Sequence, residues 1–169
     1  MVITKFRVAN EEGVAELSEL TKALALEKFE DLLPKEMLTS YISDNFNDKT
    51  LVDEMNSLSN QWLVVYKDDQ AAGYVRITSK GKRPESLENK RAIRIADFGI
   101  LKAHSEAAVW QSLFDKCLSV GRGYEAIWLN EYKESPVLDF FEKGGFSKKE
   151  QVTELDELPV PAVYLVREA

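Results

Sequence analysis

One cysteine and one histidine stand among 169 residues. Cys117 has no partner for an internal disulfide, and neither a cysteine-based nor a multi-histidine metal site can be built from this chain. No apolar run reaches the roughly 20 residues that a bilayer-spanning helix needs. The opening Met1-Val2-Ile3-Thr4-Lys5 lacks the apolar stretch and small-residue cleavage site of a secretory signal. A reducing, cytoplasmic compartment is expected, with no metal and no membrane partner. Proline (5) and glycine (8) are too sparse for a low-complexity or collagen-like chain, and no internal repeat is found. Cations are also short: 22 Lys and Arg against 29 Asp and Glu leave a net charge of −7. That deficit argues against nucleic acid or an anionic membrane as the main partner, since both need neutralising Lys and Arg. The same acidity suits a cationic substrate such as an amine, or serves solubility alone.

What is present is an ordinary core composition, 44% hydrophobic, and a length that fits one domain over residues 1–169. A short strand at Val2–Val8 precedes Asn10, a helix cap with Glu11 and Glu12 in the first turn. Val14, Leu17, Leu20 and Leu24 then recur at helical spacing toward Phe29. Pro34 starts a second helix, with Met37, Leu38, Tyr41 and Ile42 as its apolar face. A shorter helical piece holds Leu51, Met55 and Leu58. Gln61–Tyr66 and Ala72–Ile77, joined by the polar Lys67-Asp68-Asp69-Gln70, read as a hairpin. Ser79–Lys90 reads as an exposed loop, and Ile93–Ile100 as a further strand. Ser105–Gly121 is helical again, Ala126–Leu129 is a buried strand, and Ser135-Pro136 to Gly144-Gly145 brackets a last helix. Strands at Phe146–Thr153 and Val160–Val166 complete a mixed α/β (α+β) order, with one crossover helix before the Ile127–Leu129 strand.

That order, together with particular segments, resembles the GNAT superfamily of N-acetyltransferases. Phe140-Phe141-Glu142-Lys143-Gly144-Gly145-Phe146 is similar to the family's F-Y-E-K-x-G-F segment. Ile100-Leu101-Lys102 resembles the V-L-K end of its fourth strand. Pro34 to Tyr74, with Phe46-Asn47 and Gly73-Tyr74, resembles bacterial polyamine (spermidine/spermine) N-acetyltransferases. The resemblance covers essentially the whole chain, and it is the ordered set rather than any single motif that carries it. It implies a central mixed sheet of about six to seven strands flanked by helices. It also implies acetyl-CoA as co-substrate and a small amine as acceptor. Ile100, Lys102, Ala108, Val109, Gln111, Ser112 and Phe140 would then lie along the acyl-CoA site.

The implied chemistry sets three tasks. The CoA pyrophosphate needs backbone N–H donors at a helix N-terminus. The thioester carbonyl needs a donor. The amine must lose a proton while the leaving thiolate gains one, commonly from a tyrosine. The family's pyrophosphate motif, Q/R-x-x-G-x-G/A, falls on Ser105-Glu106-Ala107-Ala108-Val109-Trp110. Ser105 stands at the Gln/Arg position, Ala108 at the first glycine and Trp110 at the second. Glu106 adds a negative charge where an anion would bind. The family's tyrosine falls on Phe141, which has no proton to give, and its asparagine on Glu134. The motif is therefore degenerate, and Trp110 reads as a hydrophobic plug.

Two readings follow. One is an acyl-CoA-dependent N-acetyltransferase acting mainly by positioning. The other is a catalytically inactive binding or interaction protein of the same fold that has lost CoA binding. Asp97 is a candidate base acting through water, or a solvated strand residue. Tyr132 is a candidate proton donor, or a rim tyrosine with a satisfied hydroxyl. His104 is a base, a phosphate ligand or an exposed loop residue. Lys80, Lys82, Arg83, Lys90 and Arg91 form a basic patch or a solvated loop. Trp62, Tyr66 and Tyr74 line a cleft or pack across strands. A homodimer through Leu158–Val163 is a further expectation, although prolines there restrict strand addition.

Overall fold

The computed structural model describes residues 1–155 and 158–169. Its elements run β1 (Val2–Arg7), α1 (Glu11–Phe29), α2 (Lys35–Asn45), α3 (Asp48–Asn56), β2 (Asn60–Lys67), β3 (Gln70–Thr78), β4 (Ala92–Ile100), α4 (Ala107–Val120), β5 (Ala126–Tyr132), α5 (Pro136–Lys143), β6 (Ser147–Glu154) and β7 (Pro161–Glu168). The strands form one seven-stranded sheet in the order β1-β2-β3-β4-β5-β7-β6. The chain clusters into two compact units. The first holds Met1–Arg76 and Asp97–Lys116, the second Ile77–Ala96 and Cys117–Ala169. Among the described residues, no helix is long and apolar enough to cross a membrane.

In the first unit, the Asn10 side chain accepts the Gly13 amide at 2.7 Å and starts α1. The Asn47 side chain does the same for α3, accepting from Thr50 N at 2.9 Å. β1 and β2 pair antiparallel from Val2↔Lys67 to Arg7↔Trp62. The expected four-residue polar turn is tighter than the sequence suggested: Asp68 (φ 48°) and Asp69 (φ 69°) alone link β2 to β3, both left-handed, as a short twisted hairpin requires. Leu17, Leu20, Leu24, Leu51, Met55, Trp62, Val64, Tyr66 and Tyr74 close one apolar cluster. Trp62, Tyr66 and Tyr74 are thus packing residues, with Trp62 stacked on Tyr74 at 5.9 Å. Leu58, expected on the third helix, lies beyond its end and is exposed. At Gly73 the hairpin crowds the next strand: a Cβ there would stand 2.3 Å from Gly99 O.

In the second unit, β4 and β5 pair in parallel over Ala92↔Ala126 to Arg94↔Trp128. β7 pairs antiparallel with β5 from Ala126↔Glu168 to Tyr132↔Ala162 and separates it from β6. Ser135 caps α5 through Val137 N at 3.2 Å, with Pro136 in the first turn. After Gly144 the left-handed Gly145 (φ 101°) ends it. Leu87, Ala92, Ala126, Trp128, Tyr164 and Val166 form the core cluster. The Ser79–Lys90 loop is not a free solvated segment. Leu87 is fully buried, and Arg83 donates to the carbonyls of Leu87 (3.0 Å) and Lys90 (2.7 Å). Lys90 pairs with Glu168 at 2.9 Å. Arg91 donates to Gly123 O, so the expected basic patch spends three of its cations on the fold. Of the proposed interface segment, Leu158, Val160 and Ala162 are buried within the chain.

Candidate functional site

The start of α4 is built entirely from the first unit. β4 ends at Ile100, buried at 7% exposure, and Leu101 donates its amide to Ala72 O at 2.8 Å. The Lys102 amide donates to Glu27 Oε1 at 2.9 Å, and the residue is exposed. A single helical turn at Lys102–His104 follows, and His104 is half-buried rather than exposed as a lone loop histidine would be. The Glu106 carbonyl then accepts Val109 N (3.0 Å) and Trp110 N (3.2 Å) and opens α4. Among the described residues, the amides of Ala107 and Ala108 have no backbone or side-chain acceptor. They are the donors a helix N-terminus offers to an anion.

The residues that depart from the resemblance are interlocked. Trp110 Nε1 donates to Ser105 Oγ at 2.9 Å, so the residues at the Gln/Arg position and at the second glycine bond to each other. The Trp110 ring is half-buried and lies 5.8 Å from Phe98 of β4, tilted by 44°. Glu106 accepts from the Lys67 ammonium. Ala108 is exposed, whereas Val109 is fully buried and serves the core. Gln111 donates to Asp115 at 2.7 Å, and Ser112 shares a 2.8 Å hydrogen bond with Thr4 of β1. Of the expected ligands on this helix, Ala108 alone presents an exposed side and an amide lacking an acceptor. Cys117 is core: burial pushes its thiol up and leaves it inert.

A second polar group in the same unit was not legible in the sequence. Asp97 sits in mid-strand with a left-handed backbone, φ 61°. Its Oδ2 lies 3.5 Å from Arg76 Nε on β3, and Arg76 also approaches Glu54 Oε2 at 3.9 Å. Burial opposes the Arg76 charge, but Asp97, Tyr74, Glu54 and Tyr41 more than offset it and hold its proton affinity above the ordinary value. Asn60 Nδ2 donates to Glu54 Oε2 at 2.6 Å and to Glu54 O at 3.0 Å, while its buried Oδ1 has no partner. Asp97 is thus one end of a chain of charges rather than a solvated strand residue. The residues come from three strands and one helix, so no local spacing announces them.

In the second unit, Tyr132 ends β5 and is buried at 8% exposure. Burial, then Glu131, raises its phenol, Glu134 adds to this, and a hydrogen bond with Ser135 works the other way. It keeps its proton at neutral pH. Phe141 is fully buried between Phe146 (5.0 Å, 71°) and Phe140 (6.0 Å, 70°). Phe140 itself is half-buried. The described residues contain no group of three or more His, Cys, Asp and Glu that could hold a metal ion.

No protein-family model matches the chain. Solved structures do resemble it. The PaiA N-acetyltransferase of Thermoplasma acidophilum, crystallised in complex with coenzyme A, has a TM-score of 0.76 at 13% identity, covering 98% of this chain and 99% of that one. A GCN5-related N-acetyltransferase of Rhodopseudomonas palustris scores 0.69 at 13% identity, with 99% and 96% covered. ElaA of Escherichia coli scores 0.66 at 17% identity, with 99% and 100% covered. At such identities the likeness establishes the fold, which is that of the GNAT N-acetyltransferases.

Proposed function

We propose that the chain is an acyl-CoA-dependent N-acetyltransferase that moves an acetyl group to a small amine. The observation that carries this reading is the start of α4. A helix N-terminus with two acceptorless amides, at Ala107 and Ala108, follows directly on β4. It does so in a fold of which one solved representative was crystallised with coenzyme A. Amide donors and the positive end of the helix suit a pyrophosphate. Lys67 stands beside them, its ammonium paired with the Glu106 carboxylate. The Trp110 indole is turned to Ser105 and Phe98.

The transfer forms one C–N bond and breaks one C–S bond. The amine nitrogen gives up a proton and the departing sulfur takes one. Rate enhancement on this reading comes mostly from holding the reactants in line. Asp97 is the acceptor offered for the amine proton through water, although its pairing with Arg76 favours a charge-positioning role. Tyr132, at the end of β5 in the second unit, is buried and keeps its proton. The acidic balance of −7 suits an acceptor that arrives as a cation, and a polyamine is the finer form of the proposal.

The test is calorimetric titration with acetyl-CoA, followed by an amine screen that detects released CoA thiol. Saturable binding and amine-dependent thiol release support the reading. No heat at millimolar acetyl-CoA would sink it and leave a binding protein of the same fold. Asp97→Asn then tests the proton acceptor: a loss in kcat with KM retained marks a group that acts in the chemical step.

A further inference from the structure

Two opposite charges already meet at the N-terminus of α4. Lys67 closes β2, is registered against Val2 of β1, and stands directly before the rigid Asp68–Asp69 turn. Its ammonium donates to Glu106, the residue just before α4 and 39 positions further along the chain. A carboxylate at that place is favoured by the positive end of the helix, as a phosphate would be. The neighbouring amides of Ala107 and Ala108 remain without acceptors.

We propose that Glu106 is a built-in competitor for the phosphates of the acyl donor, and that Lys67 is the cation for which they compete. The proposal rests on the acyl-CoA reading of the site. When the donor binds, the Lys67 ammonium passes from a carboxylate oxygen to a phosphate oxygen, and Glu106 turns out to solvent. The side chains are 30% and 52% exposed, so the exchange needs only rotation of surface groups and no repacking. Lys67 thereby becomes a donor-binding residue supplied by the hairpin rather than by the α4 loop. Glu106 holds the affinity below what the helix end and the lysine would give together.

The experiment is calorimetry with two probes on the whole protein: CoA, and pantetheine, which lacks the pyrophosphate. Wild type, Glu106→Gln and Lys67→Ala are compared, with circular dichroism confirming that each is folded. Glu106→Gln is expected to bind CoA about two- to fivefold tighter and Lys67→Ala about two- to fivefold weaker, the range of exposed charge pairs and helix-end charges. Pantetheine should bind all three alike. CoA binding by Glu106→Gln where wild type shows none also supports the proposal. If wild type binds CoA and both variants match it, or if CoA and pantetheine shift together, the competition is overturned while the acyl-CoA reading stands. If neither wild type nor Glu106→Gln binds CoA at millimolar concentration, both fall.

Discussion

Trp110→Ala should lower stability and raise CoA affinity at once. The ring is half-buried on Phe98, 5.8 Å between centroids, and its nitrogen is held by Ser105 at 2.9 Å. A tryptophan buries up to roughly 250 Å², so about 100 Å² of apolar contact is lost here, worth about 2.5 kcal/mol. The hydrogen bond adds about 1 kcal/mol, and alanine returns about 0.5 kcal/mol as the better helix former. The net loss is about 3 kcal/mol, readable as a shift in the urea midpoint at unchanged slope. Removing the ring also opens the position that the resemblance assigns to a glycine beside the pyrophosphate. CoA affinity by calorimetry should rise about tenfold, equivalent to about 1.4 kcal/mol. Destabilisation with unchanged CoA affinity would show that the ring packs on β4 but lies outside the path of the donor. No destabilisation would refute the packing itself.

Three further outcomes are expected. Gly73→Ala places a Cβ 2.3 Å from Gly99 O and 2.7 Å from Ile100 Cδ1; a loss above about 2 kcal/mol should appear in denaturant unfolding, and a loss below about 0.5 kcal/mol would refute the close approach of β3 and β4. Phe141→Ala empties a fully buried site against Phe146 and should cost about 3–5 kcal/mol by the same measurement. For Tyr66, burial first, then the hydrogen bond to Glu16, raise the phenol above its ordinary 10.0. The folded state therefore keeps a proton that the unfolded state releases, so this stabilisation is fully present below the unfolded value and is lost as pH rises from there through the higher folded value. Tyr66→Phe should cost about 2 kcal/mol near neutral pH, and the gap to wild type should begin to narrow above about pH 10 and go on narrowing as pH rises further; a gap that does not narrow there refutes the coupling.

The order of elements was legible because each boundary is written locally. Asn10, Asn47 and Ser135 cap their helices through their own side chains, and Gly145 takes the left-handed turn that ends α5. Errors arose where burial depends on distant partners. Leu58 continues a helical spacing but falls after the Ser57 cap, so it points to solvent. Ser79–Lys90 is polar enough to read as a free loop, yet Leu87 is fully buried and Arg83 ties the segment to its own carbonyls. The chain of Asn60, Glu54, Arg76 and Asp97 escaped for the same reason, since only the pairing of strands brings those residues together.

The start of α4 shows how a sequence departure changes meaning once contacts are known. Listed by position, Ser105, Glu106 and Trp110 are losses: a missing long polar residue, a misplaced charge and a missing glycine. Random erosion at an exposed helix start would leave such side chains in solvent, where surface substitutions cost little. Here each has a specific partner. Ser105 accepts from Trp110, Trp110 also meets Phe98, and Glu106 accepts from Lys67. Phe141 follows the same pattern, since the missing hydroxyl is matched by a ring fully enclosed between two phenylalanines. The helix start is held by side-chain contacts, while the amides of Ala107 and Ala108 have no acceptor among the described residues. On the proposed acyl-CoA reading, such an arrangement would shift the holding of an anion from a bare glycine backbone toward the balance between Lys67 and Glu106.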